Sequence, residues 1–113
     1  MLIVRGVVVL PVNESFCDAL ILVRLLDVNV IDAPARVVGE KSFLFSGGPV
    51  DRIPFELAFE ETSASARMTL SAEIRTRDPA HLHRGDWVTT RTTNTDMQAL
   101  KERGAVVSVD RIH

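Results

Sequence analysis

The feature that most constrains the fold is a run of apolar residues from Ala19 to Leu26, in which Arg24 is the one polar side chain. The run is rich in branched aliphatic residues and is about eight residues long, the length of a strand rather than of a helix. Turn-forming residues, among them Asn29 and Pro34, follow it closely. This combination favours a buried β-strand.

A second stretch, from Ile53 to Phe59, alternates between apolar and polar positions. Strict alternation places one set of side chains on each face of a strand, so this stretch is predicted to be a half-buried strand. A fully buried strand followed by a half-buried one is typical of a two-layer β-sandwich.

Seven short strands at fairly even spacing are predicted along the chain. They cover residues Leu2 to Leu10, Ala19 to Val28, Arg36 to Phe45, Asp51 to Glu60, Arg67 to Arg75, Asp86 to Thr95 and Ala105 to Ile112. A short helix is predicted over residues 97–103, because Asp96 suits its N-cap and Gly104 suits the position after its end. We therefore expect an all-β, seven-stranded sandwich of the Greek-key or transthyretin-like type, formed by residues 1–113 as a single domain.

Charge and hydropathy exclude several kinds of partner. The net charge of −2 leaves no positive surplus for a nucleic acid or an anionic membrane surface. The apolar start of the chain is interrupted by Arg5 and Gly6 and ends at Pro11, so it is too short for a transmembrane segment. It also lacks the basic start and small-residue cleavage site of a signal peptide. Cys17 is the only cysteine, which excludes an intrachain disulfide.

One motif, His81-Leu82-His83, has metal-ligand character. Two histidines at i and i+2 on a strand point to the same side, and Asp78 or Asp86 could add an oxygen ligand. Because Pro79 and Gly85 flank the motif and disfavour a regular strand, a solvated loop is favoured, and we predict neither a metal nor a cofactor. A small metal-binding protein or enzyme that uses the His81/His83 loop is the alternative.

No catalytic residue is predicted. Asp27 and Asp32 suggest a pair of carboxylates for acid–base chemistry, but aspartates at strand ends more often bond their own backbone in turns. The stretch Ser46-Gly47-Gly48-Pro49 is typical of a turn, and no lysine-bearing helix follows it that would cradle a phosphate.

The long apolar strand has too few polar residues for a strand with one exposed face. Four alternate residues are predicted to face the core: Ala19, Ile21, Val23 and Leu25. Leu20, Leu22 and Leu26 then point the other way. Either part of the same chain covers them, such as Met97 and Leu100 of the tail, or they contact another protein. We predict that Leu20, Leu22 and Leu26 contact a protein partner, in a homodimer or with a client chain.

Several short motifs occur in an order that is similar to that of a known family. They are Leu22–Asn29, Asp32–Ala35, Ile53–Leu57, Leu70–Arg75 and Gly85–Trp87, with the sequences LVRLLDVN, DAPA, IPFEL, LSAEIR and GDW. In this order and spacing the chain resembles the YscW-like type III secretion lipoprotein chaperones, a family that also includes YbaY-type lipoproteins. The resemblance covers about residues 2–95.

The resemblance implies an exported, outer-membrane-associated β-sandwich. The secretion members act as pilotins, which help an outer-membrane secretin to reach its place, and they have no catalytic residues to carry over. A non-enzymatic, pilotin-like protein-binding domain is therefore expected.

Two features of the sequence depart from the family. There is no signal peptide, and Cys17 lies inside the domain rather than at an N-terminal lipid-attachment position. There is also no tyrosine where the family commonly has an aromatic residue; Met68 or Leu70 occupies that area. These departures predict either a cytoplasmic protein or a leaderless form of an exported one.

Overall fold

The computed structural model of the protein describes residues 2–28, 36–59, 67–91 and 93–113. Within them lie seven strands and one short helix. In chain order the elements are β1 Leu2–Asp27, β2 Arg36–Phe59, β3 Met68–Arg75, β4 Trp87–Val88, β5 Thr93–Thr95, α1 Met97–Arg103, β6 Ala105–Ser108 and β7 Asp110–Arg111. The predicted all-β fold is confirmed.

β1 and β2 form a long antiparallel ribbon, with Leu2 opposite Phe59 at one end and Asp27 opposite Arg36 at the other. The two halves of β1 have different partners on their other side. β6 runs parallel to the first half, and β3 runs antiparallel to the second half. β4 and β5 then pair with β3, and β7 pairs with β4.

The ribbon therefore contributes to both layers of the sandwich. We call residues 2–9 and 52–59 together with β6 the N-terminal layer. We call residues 19–27 and 36–45 together with β3 the C-terminal layer, which β4, β5 and β7 extend.

The two halves of the ribbon are separated by a stretch in which the register shifts three times, between Val9 and Ala19. On β2 this stretch contains Gly48, whose φ of 131° is in the region that glycine tolerates best. A Cβ atom at Gly48 would lie 2.6 Å from the carbonyl oxygen of Glu14, so the two backbones meet too closely for a side chain. The Ser46 hydroxyl oxygen accepts a hydrogen bond of 2.8 Å from the Asp18 amide and holds the strands together there.

The core lies between the inner faces of the two layers. The alternation predicted for residues 53–59 of β2 is confirmed, since every second residue there is buried, and residues 68–74 of β3 show the same pattern. These inward residues are Ile53, Phe55, Leu57, Phe59, Met68, Leu70, Ala72 and Ile74. Val4 and Val8 of β1 and the single tryptophan, Trp87, belong to the same cluster.

The predicted helix is confirmed as α1. The Asp96 carboxylate accepts a hydrogen bond of 2.8 Å from the Ala99 amide at the N-terminus, and the Gly104 amide donates to the Leu100 carbonyl at the C-terminus. Met97 and Leu100 are buried in the main core cluster, which does not include Leu22. The tail helix therefore packs into the core between the layers.

The strand boundaries differ from those expected. The first and second predicted strands are the two ends of β1, and the third and fourth are the two ends of β2. The sixth predicted strand is two strands in the structure, β4 and β5, and the seventh is also two, β6 and β7. The number of strands is still seven, because two pairs of predicted strands are joined and two predicted strands are divided. Pro11 ends no strand because it lies in the irregular stretch of register, where a missing amide donor breaks no ladder bond.

Candidate protein-contact surface

The three leucines predicted to contact a partner lie on the outer face of the C-terminal layer, in the second half of β1. Leu20 and Leu26 are half-buried. Leu22 is only 6% exposed, although it lies outside the main core cluster. Its register neighbours are Ser42 of β2 and Glu73 of β3, so Leu22 sits in the middle of the layer with strands on both sides. Leu22 therefore has little surface left for a partner to cover.

Two further apolar residues extend this surface on β2. Leu44 lies opposite Leu20 and is 66% exposed, and Val37 lies opposite Leu26 and is 49% exposed. Cross-strand partners share a face of the sheet, so these side chains are neighbours of the leucines. We call Leu20, Leu22, Leu26, Leu44 and Val37 the leucine face. Sequence reasoning missed Leu44 and Val37 because only the register of β1 against β2 places them there.

One ion pair lies within the leucine face, where it separates Leu20, Leu22 and Leu44 from Leu26 and Val37, and a second ion pair borders the face on β3. The Arg24 Nε atom lies 3.2 Å from the Glu40 carboxylate, which is opposite it on β2. On the other side the Arg75 guanidinium lies 2.6 Å from the Glu73 carboxylate, and both side chains are mostly shielded from solvent. Exposed apolar residues interspersed with ion pairs are compatible with a protein-contact site.

A cleft of about 520 Å³ opens between the two halves of β2, on the side of the sheet opposite to the leucine face. Lys41 and Phe43 line one side of the cleft, and Pro54, Phe55 and Glu56 line the other. Its size is within the range of ligand-binding pockets, and its lining combines two aromatic rings with three charged residues, Arg5, Lys41 and Glu56. We call it the β2 cleft.

The loop with the predicted histidines is organised by aspartates. Asp86, which is 0% exposed, accepts hydrogen bonds from the Thr76 amide at 2.9 Å, the Thr76 hydroxyl at 2.7 Å and the His83 amide at 2.8 Å. Burial raises the pKa of Asp86, but these hydrogen bonds lower it more, so the net pKa lies below its ordinary value. The Asp86 carboxylate is thus an internal anchor of the loop.

The other members of the proposed metal set do not converge. The His83 Nε2 atom lies 3.7 Å from the Asp78 carboxylate, and the Asp78 carboxylate also accepts a hydrogen bond from the Ala80 amide. His81 is exposed and joins Asp78 through the backbone. No group of three potential metal ligands occurs among the described residues. Of the two carboxylates suggested for acid–base chemistry, Asp27 is the last residue of β1, and Asp32 lies outside the described residues.

The comparisons with known proteins give a family and a fold. Residues 4–101 match the family described as Type III secretion system lipoprotein chaperone (YscW). The structure superimposes with a TM-score of 0.76 on an alternative pilotin from the type II secretion system of Vibrio cholerae. That match covers 99% of this chain and 97% of the other at 24% sequence identity. No curated protein matches the sequence. Among the described residues, no helix has both the length and the apolar character needed to cross a membrane.

Proposed function

Because the chain belongs to the YscW family of type III secretion lipoprotein chaperones, we propose that it is a pilotin-like chaperone that binds a secretin subunit without catalysing a reaction. The family match over residues 4–101 supports this proposal, and so does a fold shared with a pilotin over nearly the whole chain. An exported location is part of the proposal, since secretins are outer-membrane proteins.

The leucine face is the observation that carries the proposal. Leu44 is two-thirds exposed, and Leu20 opposite it is half-buried. Leu26 is also half-buried and lies opposite Val37, on the other side of the Arg24–Glu40 pair. Full burial of a leucine contributes about 1.5–3 kcal/mol, so covering the exposed part of Leu44 contributes about 1–2 kcal/mol. Several such residues on one face offset part of the cost of association. Leu22 is buried, so its role in the proposed surface is to stabilise the strand that carries Leu20 and Leu26.

The test is a titration of the purified protein with a soluble segment of a secretin from the same organism, monitored by isothermal titration calorimetry. We expect saturable binding, and Leu44→Lys should weaken it roughly tenfold or more, because about 1.4 kcal/mol corresponds to a factor of ten. Val106→Lys is the matched control, since Val106 is also an exposed apolar strand residue, at 52%, but lies in the N-terminal layer.

The leucine face has a second candidate partner, another copy of the chain, because the same apolar residues suit a symmetric contact. Light scattering over a concentration series separates the two. A dimer that Leu44→Lys converts to a monomer, with its melting temperature kept, favours self-association. A monomer at all concentrations that binds the secretin segment favours the chaperone. Absence of binding to the segment would refute the pilotin-like function.

A further inference from the structure

β2 is an edge strand of the sheet that the described residues form. β2 pairs with β1 along one side, and no other described strand pairs with it. An unpaired edge presents a row of backbone amides and carbonyls, which can accept an added strand. Proteins usually block such edges with prolines, bulges or charges.

The two halves of this edge are blocked to different degrees. The half in the N-terminal layer contains Pro54, which has no amide to donate. The half in the C-terminal layer is regular: Gly39 to Phe45 pair with Leu25 to Ala19 without a register shift, and this segment contains no proline. We call Gly39 to Phe45 the edge segment.

Successive side chains of the edge segment point to opposite faces of the sheet, and the two faces differ. Lys41 and Phe43 line the β2 cleft, whereas Leu44 belongs to the leucine face on the opposite side of the sheet. A strand added at this edge would therefore place alternate side chains over the cleft and beside the leucine face.

The cleft has one positive charge without a partner. Arg5, which also lines it, lies 3.4 Å from the Glu56 carboxylate, so these two charges offset each other. Lys41 is exposed and forms no ion pair with any described residue. On a chain with a net charge of −2, Lys41 favours a negatively charged group in the incoming strand.

A second copy of the edge segment is a poor occupant. In an antiparallel pair, opposite residues share a face, so Glu40 of one copy cannot lie directly opposite Lys41 of the other, because these residues are on different faces. A register centred on Glu40 places two glutamates opposite each other, and a register centred on Lys41 places two lysines opposite each other. Both arrangements are destabilising. A register centred on Ser42 sets Glu40 opposite Leu44 and Lys41 opposite Phe43, with no charge complement.

We propose that the edge segment accepts an extended strand of the partner protein, with a carboxylate residue opposite Lys41 and an apolar residue two positions away against Phe43. This inference rests on the proposed function, that the chain binds a protein, and it specifies the conformation and the chemistry of the bound segment. The main chain of β2 supplies the hydrogen bonds, and Lys41 and Phe43 select the sequence.

The first test uses two probes: the secretin segment, and a synthetic peptide that alternates valine with threonine and has a glutamate in place of its central valine, so that valines lie two positions from the carboxylate. Amide hydrogen exchange is measured by NMR with each probe at saturation. We expect slower exchange for residues 39–45 in both cases. If the secretin segment binds and slows exchange elsewhere only, the strand-addition proposal is refuted while the chaperone function stands.

If only the synthetic peptide binds at residues 39–45, the edge site is confirmed and the secretin function fails. Binding by neither probe refutes both. Dimerisation of the free protein with slower exchange at residues 39–45 would assign the edge to a second copy and overturn the proposal.

The second test separates backbone pairing from side-chain contact. Versions of the synthetic peptide with N-methyl groups on alternate residues, in both possible sets, keep the side chains but remove one row of amide donors. One set should weaken binding at least tenfold, and equal binding by both sets would overturn strand addition. Lys41→Glu should also weaken binding roughly tenfold, whereas Arg52→Glu, an exposed charge reversal on β2 outside the segment, should not. Equal effects of the two reversals would refute a role for Lys41.

Discussion

Replacing Asp86 with asparagine tests the anchor that holds the loop between β3 and β4. The carboxylate accepts three hydrogen bonds, two from Thr76 and one from His83, and the residue is fully buried. The loop also ties this region to the chain end, since the Ile112 amide donates to the Asp86 carbonyl at 2.8 Å. Loss of the anchor should therefore destabilise the whole domain.

The magnitude follows from the individual bonds. Asparagine keeps one oxygen, which can accept both bonds from Thr76, but its NH₂ group then faces the His83 amide and leaves that donor without an acceptor. An unsatisfied donor costs about 1–3 kcal/mol, and loss of the charge weakens the remaining bonds. Because His83 itself is exposed, water can reach that side, so we expect a loss of about 2 kcal/mol and a fall in melting temperature of about 8 °C.

Urea unfolding, followed by the fluorescence of Trp87, measures this loss directly, because Trp87 is the only tryptophan and is adjacent to Asp86. Asp86→Ala removes all the acceptors and should destabilise the protein more than Asp86→Asn. Asp51→Asn, an exposed substitution on β2, is the control for loss of one charge. An Asp86→Asn variant within about 0.5 kcal/mol of the wild type would refute the anchor role.

The difference in stability between the wild type and Asp86→Asn should also depend on pH. The pKa of Asp86 in the folded protein lies below the ordinary value of 3.8: burial raises it, but the hydrogen bonds from Thr76 and His83 lower it more. A lowered pKa in the folded state means that the stabilisation is fully present above the ordinary pKa and is lost as the pH falls through the folded pKa. The difference in unfolding free energy between wild type and Asp86→Asn should stay constant from pH 7 to about 5 and shrink below about pH 4. A difference that grows on acidification would contradict this assignment.

Two further substitutions test local features by urea unfolding. Gly48→Ala should cost about 2 kcal/mol or more, because its Cβ atom would lie 2.6 Å from the Glu14 carbonyl oxygen at a φ of 131°, and wild-type stability would contradict that close approach. Asp96→Ala should cost about 1 kcal/mol through loss of the N-cap, whereas Asp96→Asn keeps a capping oxygen and should remain near wild type. Equal losses for the alanine and asparagine variants would refute the capping role.

The sequence predicted well where one local rule decided the outcome. Alternation along residues 53–59 identified the buried side of β2, because a strand has a period of two wherever one face is packed. The limits of α1 followed from Asp96 and Gly104, whose capping preferences act within one helical turn.

The sequence failed where distant pairing decided the outcome. Pro11 and the pair Gly47-Gly48 resemble the ends of strands, yet β1 and β2 continue past them because each has the other as a partner on both sides of the irregular stretch. The low exposure of Leu22, 6%, could not be predicted either, because it depends on the position of Leu22 between Ser42 and Glu73, while its contact with a partner stays a prediction. The exposure of a side chain in a sheet depends on the register between neighbouring strands, and the periodicity of one strand gives no information about that register.

The register places the leucine face and the β2 cleft at the same edge segment. They lie on opposite sides of the sheet, but both meet at the edge segment, where Lys41 and Phe43 point to the cleft and Leu44 points to the leucine face. A helix laid on either surface would contact only one of these sets, because its side chains reach one face of the sheet. An extended strand at the edge contacts both sets with alternate side chains, and its backbone pairs with β2 between them. Strand addition therefore accounts for both surfaces with a single occupant, which is the reason to favour it over two independent sites.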